Sequence, residues 1–186
     1  MVALMAAAKI AVDVKSDTVQ LPFAVHYATQ STLGADRIAA IAGAMCHVAD
    51  GSAFVADLGT AATFDLVTGL GRQPVYQGGN ISAGVQMRLN ALHDHTSALP
   101  KISADAVPDG LWGDSTCEAL IGGAVHGIIA ELQYYRSKAP APCTTVLTGG
   151  GSSYLAHNGL LDFEYIHDPL LVLRGLNHII SYNENR

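Results

Sequence analysis

The sequence predicts a mixed α/β fold in which an antiparallel strand meander is followed by crossover units. Three observations carry this. Apolar runs over 53–68 and 74–81 are broken by glycine turns at Gly59 and at Gly69-Leu70-Gly71. Two later apolar runs, 144–147 and 163–167, are each followed by a helical pattern. Between these groups lie stretches with apolar residues at helical spacing, the longest beginning near Ser115.

The first residues, 8–14 and 21–28, read as short strand-like or irregular pieces that could not make a domain alone. Leu33-Gly34-Ala35-Asp36-Arg37 then opens a helix that places Ile38, Ile41, Ala42, Met45 and Val48 on one face. Asp36 falls in its first turn, where a carboxylate caps the helix or complements its dipole. The strand pair over 53–68 bends at Asp57-Leu58-Gly59-Thr60. Glycine lets backbone approach a ligand closely and turn amides cradle an anion; the same residues also serve an ordinary hairpin. Pro74 to Ile81 reads as a third strand interrupted at Gly78-Gly79, and Ser82-Ala83-Gly84 leads into a helix running to about His95, with Met87, Leu89 and Leu92 apolar.

Residues 96–108 have turn chemistry and no sustained period, so a loop is expected. Ser115-Thr116-Cys117-Glu118 has capping-box spacing and opens a helix of about six turns, with Leu120, Ile121, Ala124, Val125, Ile128, Ile129 and Leu132 on its buried side. Gly122, Gly123 and Gly127 each cost up to about 1 kcal/mol there relative to alanine, which points to close packing. Thr144 to Leu147 reads as a strand, followed by Thr148-Gly149-Gly150-Gly151 and a helix from about Ser152 to an Asn158-Gly159 cap. Strand, glycine turn and helix start form a recurrent phosphate or nucleotide cradle. Phe163 to His167 is expected as a strand, and Asp168-Pro169 as the N-cap and first position of the last helix.

The 186 residues suit one domain, or one domain with a fragment of another. With 49% hydrophobic and 14% charged residues the chain is not disordered, and buried surface between subunits is expected. A net charge of −6 argues against nucleic acid or an anionic membrane as the main partner. Cys46, Cys117 and Cys143 are odd in number and widely spaced, which reads as a reduced cytoplasmic protein. No apolar run reaches the roughly 18 to 20 residues of a membrane span. The apolar opening, residues 1–12, lacks a leading charged region and reads as the edge of a fold rather than a signal peptide. His93-Asp94-His95 stands without a His-Glu-x-x-His partner, and the other histidines are scattered, so no transition-metal site is expected. Neither a Gly-x-Ser-x-Gly elbow nor a P-loop occurs. The remaining acidic residues and glycine turns suit phosphoryl transfer, which needs positioning, cations and one carboxylate at the acceptor hydroxyl.

Five segments in order, Leu33-Gly-Ala-Asp-Arg37, Asp57-Leu-Gly-Thr-Ala-Ala-Thr-Phe-Asp65, Gly78-Gly-Asn-Ile-Ser-Ala-Gly84, Thr96-Ser-Ala-Leu-Pro100 and Thr148-Gly-Gly150, resemble the type III pantothenate kinases. The resemblance implies a ribonuclease-H-like fold of the actin-like ATPase kind, within the acetate and sugar kinase, Hsp70 and actin superfamily, where two such domains clasp ATP. It also implies ATP-dependent phosphorylation of pantothenate, the first step of coenzyme A biosynthesis, by a cytoplasmic homodimer using Mg2+ and a monovalent cation, K+ or NH4+. By that resemblance Asp36 is the general base; Tyr27, Gly34, Ala35, Arg37 and Thr96 bind pantothenate; Asp57 holds the monovalent cation. Gly59 and Thr60 would meet ATP phosphates, and Gly149 and Gly150 would lie near the nucleoside.

The family's first phosphate hairpin, Asp-x-Gly-Asn-Thr/Ser, has no counterpart before residue 34, and Ala62 and Ala83 replace a usual threonine and proline. Residues 1–33 are therefore expected to be the tail of a first, truncated domain, and 34–186 an interdomain helix with a complete second domain. Two other readings accompany the kinase: a non-catalytic pantothenate-binding or regulatory homologue that has lost ATP turnover, and a related sugar or small-polyol kinase.

Overall fold

The computed structural model describes residues 13–15 and 18–184. Six strands form one mixed sheet in the order β1-β4-β3-β2-β5-β6. Strand β2 (Gly51–Leu58), β3 (Ala61–Leu70) and β4 (Val75–Ala83) make the antiparallel meander. On one side β5 (Cys143–Thr148) lies parallel to β2, and β6 (Ile166–His167) parallel to β5. On the other, β1 (Ala24–Val25) adds parallel to the start of β4. Helices α1 (Ala35–Ala44), α2 (Val85–Asp94), α3 (Thr116–Lys138), α4 (Gly150–His157) and α5 (Leu171–Glu184), with a 3-10 turn at Gln30–Thr32, complete the described elements.

Because side chains alternate along a strand, β2 feeds two cores. Ala53 and Val55 face one side with Val67, Tyr76 and Val146, and bury against Ile38 and Ile41 of α1 and Leu171 and Ile179 of α5. Phe54, Ala56 and Leu58 face the other with Phe64 and Leu147, and bury against Leu89, Val125, Ile128, Leu132 and Leu155 of α2, α3 and α4. The result is a sheet between two helical layers.

Helices α1 and α5 approach to backbone contact. A Cβ at Gly43 would collide with the Leu171 carbonyl, and one at Gly175 with the Ala39 carbonyl. Small residues at both crossing points let the two backbones meet.

Several local expectations change. Asp36 does not cap α1, whose N-cap is Gly34 without a side-chain bond; Asp36 stays in the first turn, where its charge complements the dipole. Of 21–28 only Ala24–Val25 is strand, and of 163–167 only Ile166–His167, because each sits at a sheet border where few partners are available. Of the 8–14 piece, residues before 13 lie outside the described residues, and Val14 lies in a turn. Strand β4 runs on through Gly78-Gly79, absorbing Gly78 (φ +105°) as a bulge opposite Leu66/Val67. Helix α4 starts at Gly150, two residues earlier than expected. Helix α5 starts at Leu171, so Asp168 and Pro169 precede it. Asp168 instead accepts from the Leu170 amide at 2.9 Å, lies 2.7 Å from His47 Nε2 and takes 2.6 Å from Arg174 Nε.

Other expectations hold. Ser115 caps α3 by accepting the Glu118 amide at 3.3 Å. Asn158 ends α4, with Gly159 following at φ +63°. Residues 96–115 carry no regular element.

Candidate active site

Strands β2 and β5 end side by side, with Asp57 opposite Thr148, so the β2–β3 hairpin and the β5–α4 turn share one edge of the sheet. On the α1 face of that edge lies a cluster of side chains. Asp57 and Asp65 share the face, since Asp57 pairs with Thr63 two positions from Asp65. Above them, Gly34 turns the chain into α1, whose first turn carries Asp36 and Arg37.

Arg37 and Asp65 are 5% and 1% exposed and form a forked ion pair: Arg37 Nε donates to Oδ1 and Oδ2 at 3.1 and 3.2 Å, and Nη2 to Oδ1 at 2.5 Å. The Tyr76 hydroxyl donates to the same Oδ1 at 2.7 Å. The guanidinium lies 5.8 Å from the Tyr27 ring centre and 5.9 Å from that of Tyr76, and the two rings stack at 6.2 Å. Gly79 floors the pair, since a Cβ there would collide with Asp65 and come within 2.8 Å of Arg37 Nη2.

Burial opposes the Arg37 charge, but hydrogen bonding and attraction to Asp65 outweigh it and raise its pKa. Burial likewise pushes the Asp65 carboxyl up, against the hydrogen bonds of Arg37 and Tyr76; with that donor set the pair is ionised. The Tyr76 phenol is held far above its ordinary value by burial, then by the Asp65 charge and hydrogen bond.

Asp57 differs. Its pKa is raised first by burial and then by the charges of Asp36 and Asp65, and among the described residues no hydrogen-bond donor reaches its carboxylate. A half-buried anion beside two others fits a bound cation. Among the described residues no three His, Cys, Asp or Glu side chains gather around a common point. Among the described residues Asp57 thus offers one half-buried carboxylate to a cation, and Mg2+ commonly rides on substrate phosphates with one or two carboxylates.

The hairpin and the β5–α4 turn are backbone constructions. Gly59 donates to the Ala61 carbonyl at 3.0 Å and Gly84 to that of Thr60 at 3.0 Å. Gly149 has φ +86°, and a Cβ on it would lie 2.5 Å from Asp57 Oδ1 and 2.8 Å from the Leu58 carbonyl. Past this edge, on the α3 face, is a cavity of about 230 Å3 whose wall includes Gly59, Gly84, Gln86, Asp105, Gly150 and Tyr154. The 96–115 loop is tied beside it: Gln86 Nε2 donates to Ile102 O at 3.0 Å, Gln86 Oε1 accepts from the Ala104 amide at 2.9 Å, and Tyr154 Oη donates to Ala106 O at 2.6 Å. Asp36, Asp57 and Asp65 are not in its wall, so these three carboxylates meet the cavity only across the sheet edge.

Tyr27, Gly34, Ala35, Asp36, Arg37 and Asp57 thus lie around the α1 face of the edge, and Gly59, Thr60, Gly149 and Gly150 along the edge itself. Thr96 is not gathered with them: it is exposed beyond the C-terminus of α2, where its Oγ1 donates to Leu92 O at 2.6 Å. Sequence reasoning missed Asp65, Tyr76 and Gln86. A carboxylate inside the apolar run Phe64-Asp65-Leu66-Val67 was a signal for the first; Tyr76 and Gln86 offered none.

Residues 2–138 match the family model of the type III pantothenate kinases. A type III pantothenate kinase of Azobacteroides pseudotrichonymphae is 40% identical over 169 residues, covering 88% of this chain and 65% of the relative. That of Porphyromonas gingivalis is 39% identical, covering 88% and 66%. The chain thus spans slightly under two thirds of the length of these relatives. A Campylobacter jejuni structure described as a candidate Baf-family transcriptional activator superposes with a TM-score of 0.63 at 28% identity, covering 89% of this chain and 71% of that one. A Sinorhizobium meliloti structure described as a candidate 2-dehydro-3-deoxygalactonokinase superposes with a TM-score of 0.53 at 12% identity, covering 80% of this chain and 58% of that one, so the chain shares that kinase's fold.

Proposed function

This chain belongs to the type III pantothenate kinase family, and from that membership we propose that it transfers the γ-phosphoryl group of ATP to the primary hydroxyl of pantothenate, the first step of coenzyme A biosynthesis. The observation that carries the reading is the gathering of Asp36, Arg37, Tyr27 and Asp57 at the edge where the glycine hairpin turns.

Asp36 takes the proton of the acceptor hydroxyl as the oxygen bonds to phosphorus and the bond to ADP breaks. Its side chain accepts only the adjacent Arg37 amide at 2.9 Å among the described residues, which leaves lone pairs for that proton. Arg37 and Tyr27, with Gly34 and Ala35, hold pantothenate. Gly59 and Thr60 meet the phosphates through the hairpin backbone, and Gly149 and Gly150 border the nucleoside. Asp57 would hold a K+ or NH4+ ion, which would supply positive charge to balance the phosphates. Thr96 joins pantothenate in this reading only if its segment moves or is contributed by the second subunit of a homodimer. In this reading residues 34–186 hold the interdomain helix and second ribonuclease-H-like domain, to whose sheet and core β1 and Phe23 add.

The test is phosphopantothenate formation by purified protein with Mg-ATP and K+. The reading expects turnover that needs both and is lost in Asp36→Asn. Full activity in Asp36→Asn would remove the base, and pantothenate binding without turnover would favour the non-catalytic homologue.

A further inference from the structure

We infer that Asp65 and Tyr76 are positioning residues for pantothenate binding, holding the Arg37 guanidinium by one edge so that it neither turns away nor neutralises Asp36 and Asp57. The inference rests on the reading of Arg37 as a pantothenate contact and assigns roles to two side chains outside it.

Four observations carry it. First, Asp65 grips Nε and Nη2 together, which leaves Nη1 outside the fork. Second, the Tyr76 hydroxyl, itself on a buried strand residue, fixes the oxygen that Arg37 shares. Third, the guanidinium lies 5.8 and 5.9 Å from the ring centres of Tyr27 and Tyr76, themselves 6.2 Å apart, so the stacked pair walls it on one side. Fourth, Asp36 is adjacent to Arg37 in the chain, and Asp57, paired with Thr63, shares the α1 face of the sheet with Asp65. Released from Asp65, a guanidinium in this cluster has two other carboxylates to pair with, one of them the proposed base.

Stability does not account for the arrangement. A buried ion pair returns little or nothing over an apolar pair of the same volume, because desolvation of both charges offsets their attraction. Gly79 must also stay bare to make room for it. With Nε and Nη2 engaged by Asp65, Nη1 and the second hydrogen of Nη2 remain, held in a fixed direction, for the carboxylate of pantothenate.

The experiment is calorimetric titration of the 186-residue chain with pantothenate, for the unaltered protein, Arg37→Ala, Asp65→Asn, the Arg37→Ala/Asp65→Asn double variant and Tyr76→Phe, each checked for folding by circular dichroism. Loss of a charged hydrogen bond predicts about thirtyfold weaker binding in Asp65→Asn and about tenfold in Tyr76→Phe, with the double variant no weaker than Arg37→Ala alone. A purely structural role would lower the melting temperature but leave the dissociation constant of the folded protein unchanged; that result overturns the inference, as does a multiplicative double variant. If Asp65→Asn does not fold, Tyr76→Phe decides alone, and unchanged binding there overturns it. Absence of pantothenate binding in the unaltered chain would instead overturn the functional reading, and the inference with it.

Discussion

Around Arg37 the atoms that define the site belong to side chains, whereas around Gly59 and Gly149 nearly all belong to backbone. The first region is a closed set of partners: Arg37, Asp65, Tyr76 and Tyr27 meet one another and leave Asp36 and Asp57 uncompensated. The second has few side-chain atoms to lose, and its shape is kept by glycine conformations such as φ +86° at Gly149. The difference predicts opposite failure modes. Side-chain changes in the first region should alter chemistry or affinity with the fold intact, while in the second only a change that adds atoms should matter.

The largest contrast is expected from Asp36→Asn. Removing a general base costs about 10² to 10⁴ in kcat, with pantothenate affinity held within a few-fold, measured by coupled assay and calorimetry. A comparable loss of affinity would mean that Asp36 binds rather than reacts, and would blur the contrast.

Gly149→Ala tests the other region. It places a Cβ against Asp57 and the Leu58 carbonyl in a backbone conformation that non-glycine residues rarely adopt, a strain of about 1 to 3 kcal/mol. The expected result is a lower melting temperature and weaker Mg-ATP binding, with pantothenate binding spared. Equal damage to both ligands would show that the two regions are not separable.

Asp168 serves as a reference away from both. Burial pushes its carboxyl up, but His47, the Leu170 amide and Arg174 outweigh this and hold it below the usual carboxylate range. A depressed folded pKa means stability that is present above the unfolded value, about 3.9, and lost as pH falls through the folded one. Asp168→Asn should therefore cost about 1 to 3 kcal/mol at pH 7, and the gap to the unaltered protein should close in denaturant melts below pH 4. Binding of both ligands should survive while the protein is folded.

The smallest effect is a gain. Asp57 has a raised pKa, so its ionised form opposes folding at neutral pH, and Asp57→Asn should raise the melting temperature by about 2 °C in cation-free buffer. Adding K+ should stabilise the unaltered protein and leave Asp57→Asn unmoved. A K+ response in the variant would shift the cation away from Asp57.

Legibility in the sequence followed the same division. The backbone region was written in glycines: the Asp57-Leu-Gly-Thr60 hairpin and the Thr148-Gly-Gly-Gly151 turn were placed correctly, because glycine at a strand end leaves few alternatives. The meander, the six-turn α3 and its Ser115 cap were legible for related local reasons, period and capping. The side-chain region was only half legible. Gly34 to Arg37 was visible as a motif, but that Arg37 spends one edge on Asp65 depends on a pairing between a helix and a strand, which no local pattern encodes. The same holds for Asp168, whose side chain looked like a helix cap and serves instead as a junction for His47 and Arg174. Border strands β1 and β6 came out shorter than their apolar runs because strand length is decided by the neighbour available for pairing.

The glycine crossing of α1 and α5 joins the last helix of the chain to the one that bears Asp36. Backbone against backbone leaves no compressible side chain between them, so the seam works as a spacer of fixed thickness. A methyl group at position 175 would move α1 as a body, carrying Asp36 and Arg37 with it, although neither touches the change. Selection for altered turnover should therefore enrich substitutions near the far end of the chain, on a helix that contributes no atom to the chemistry.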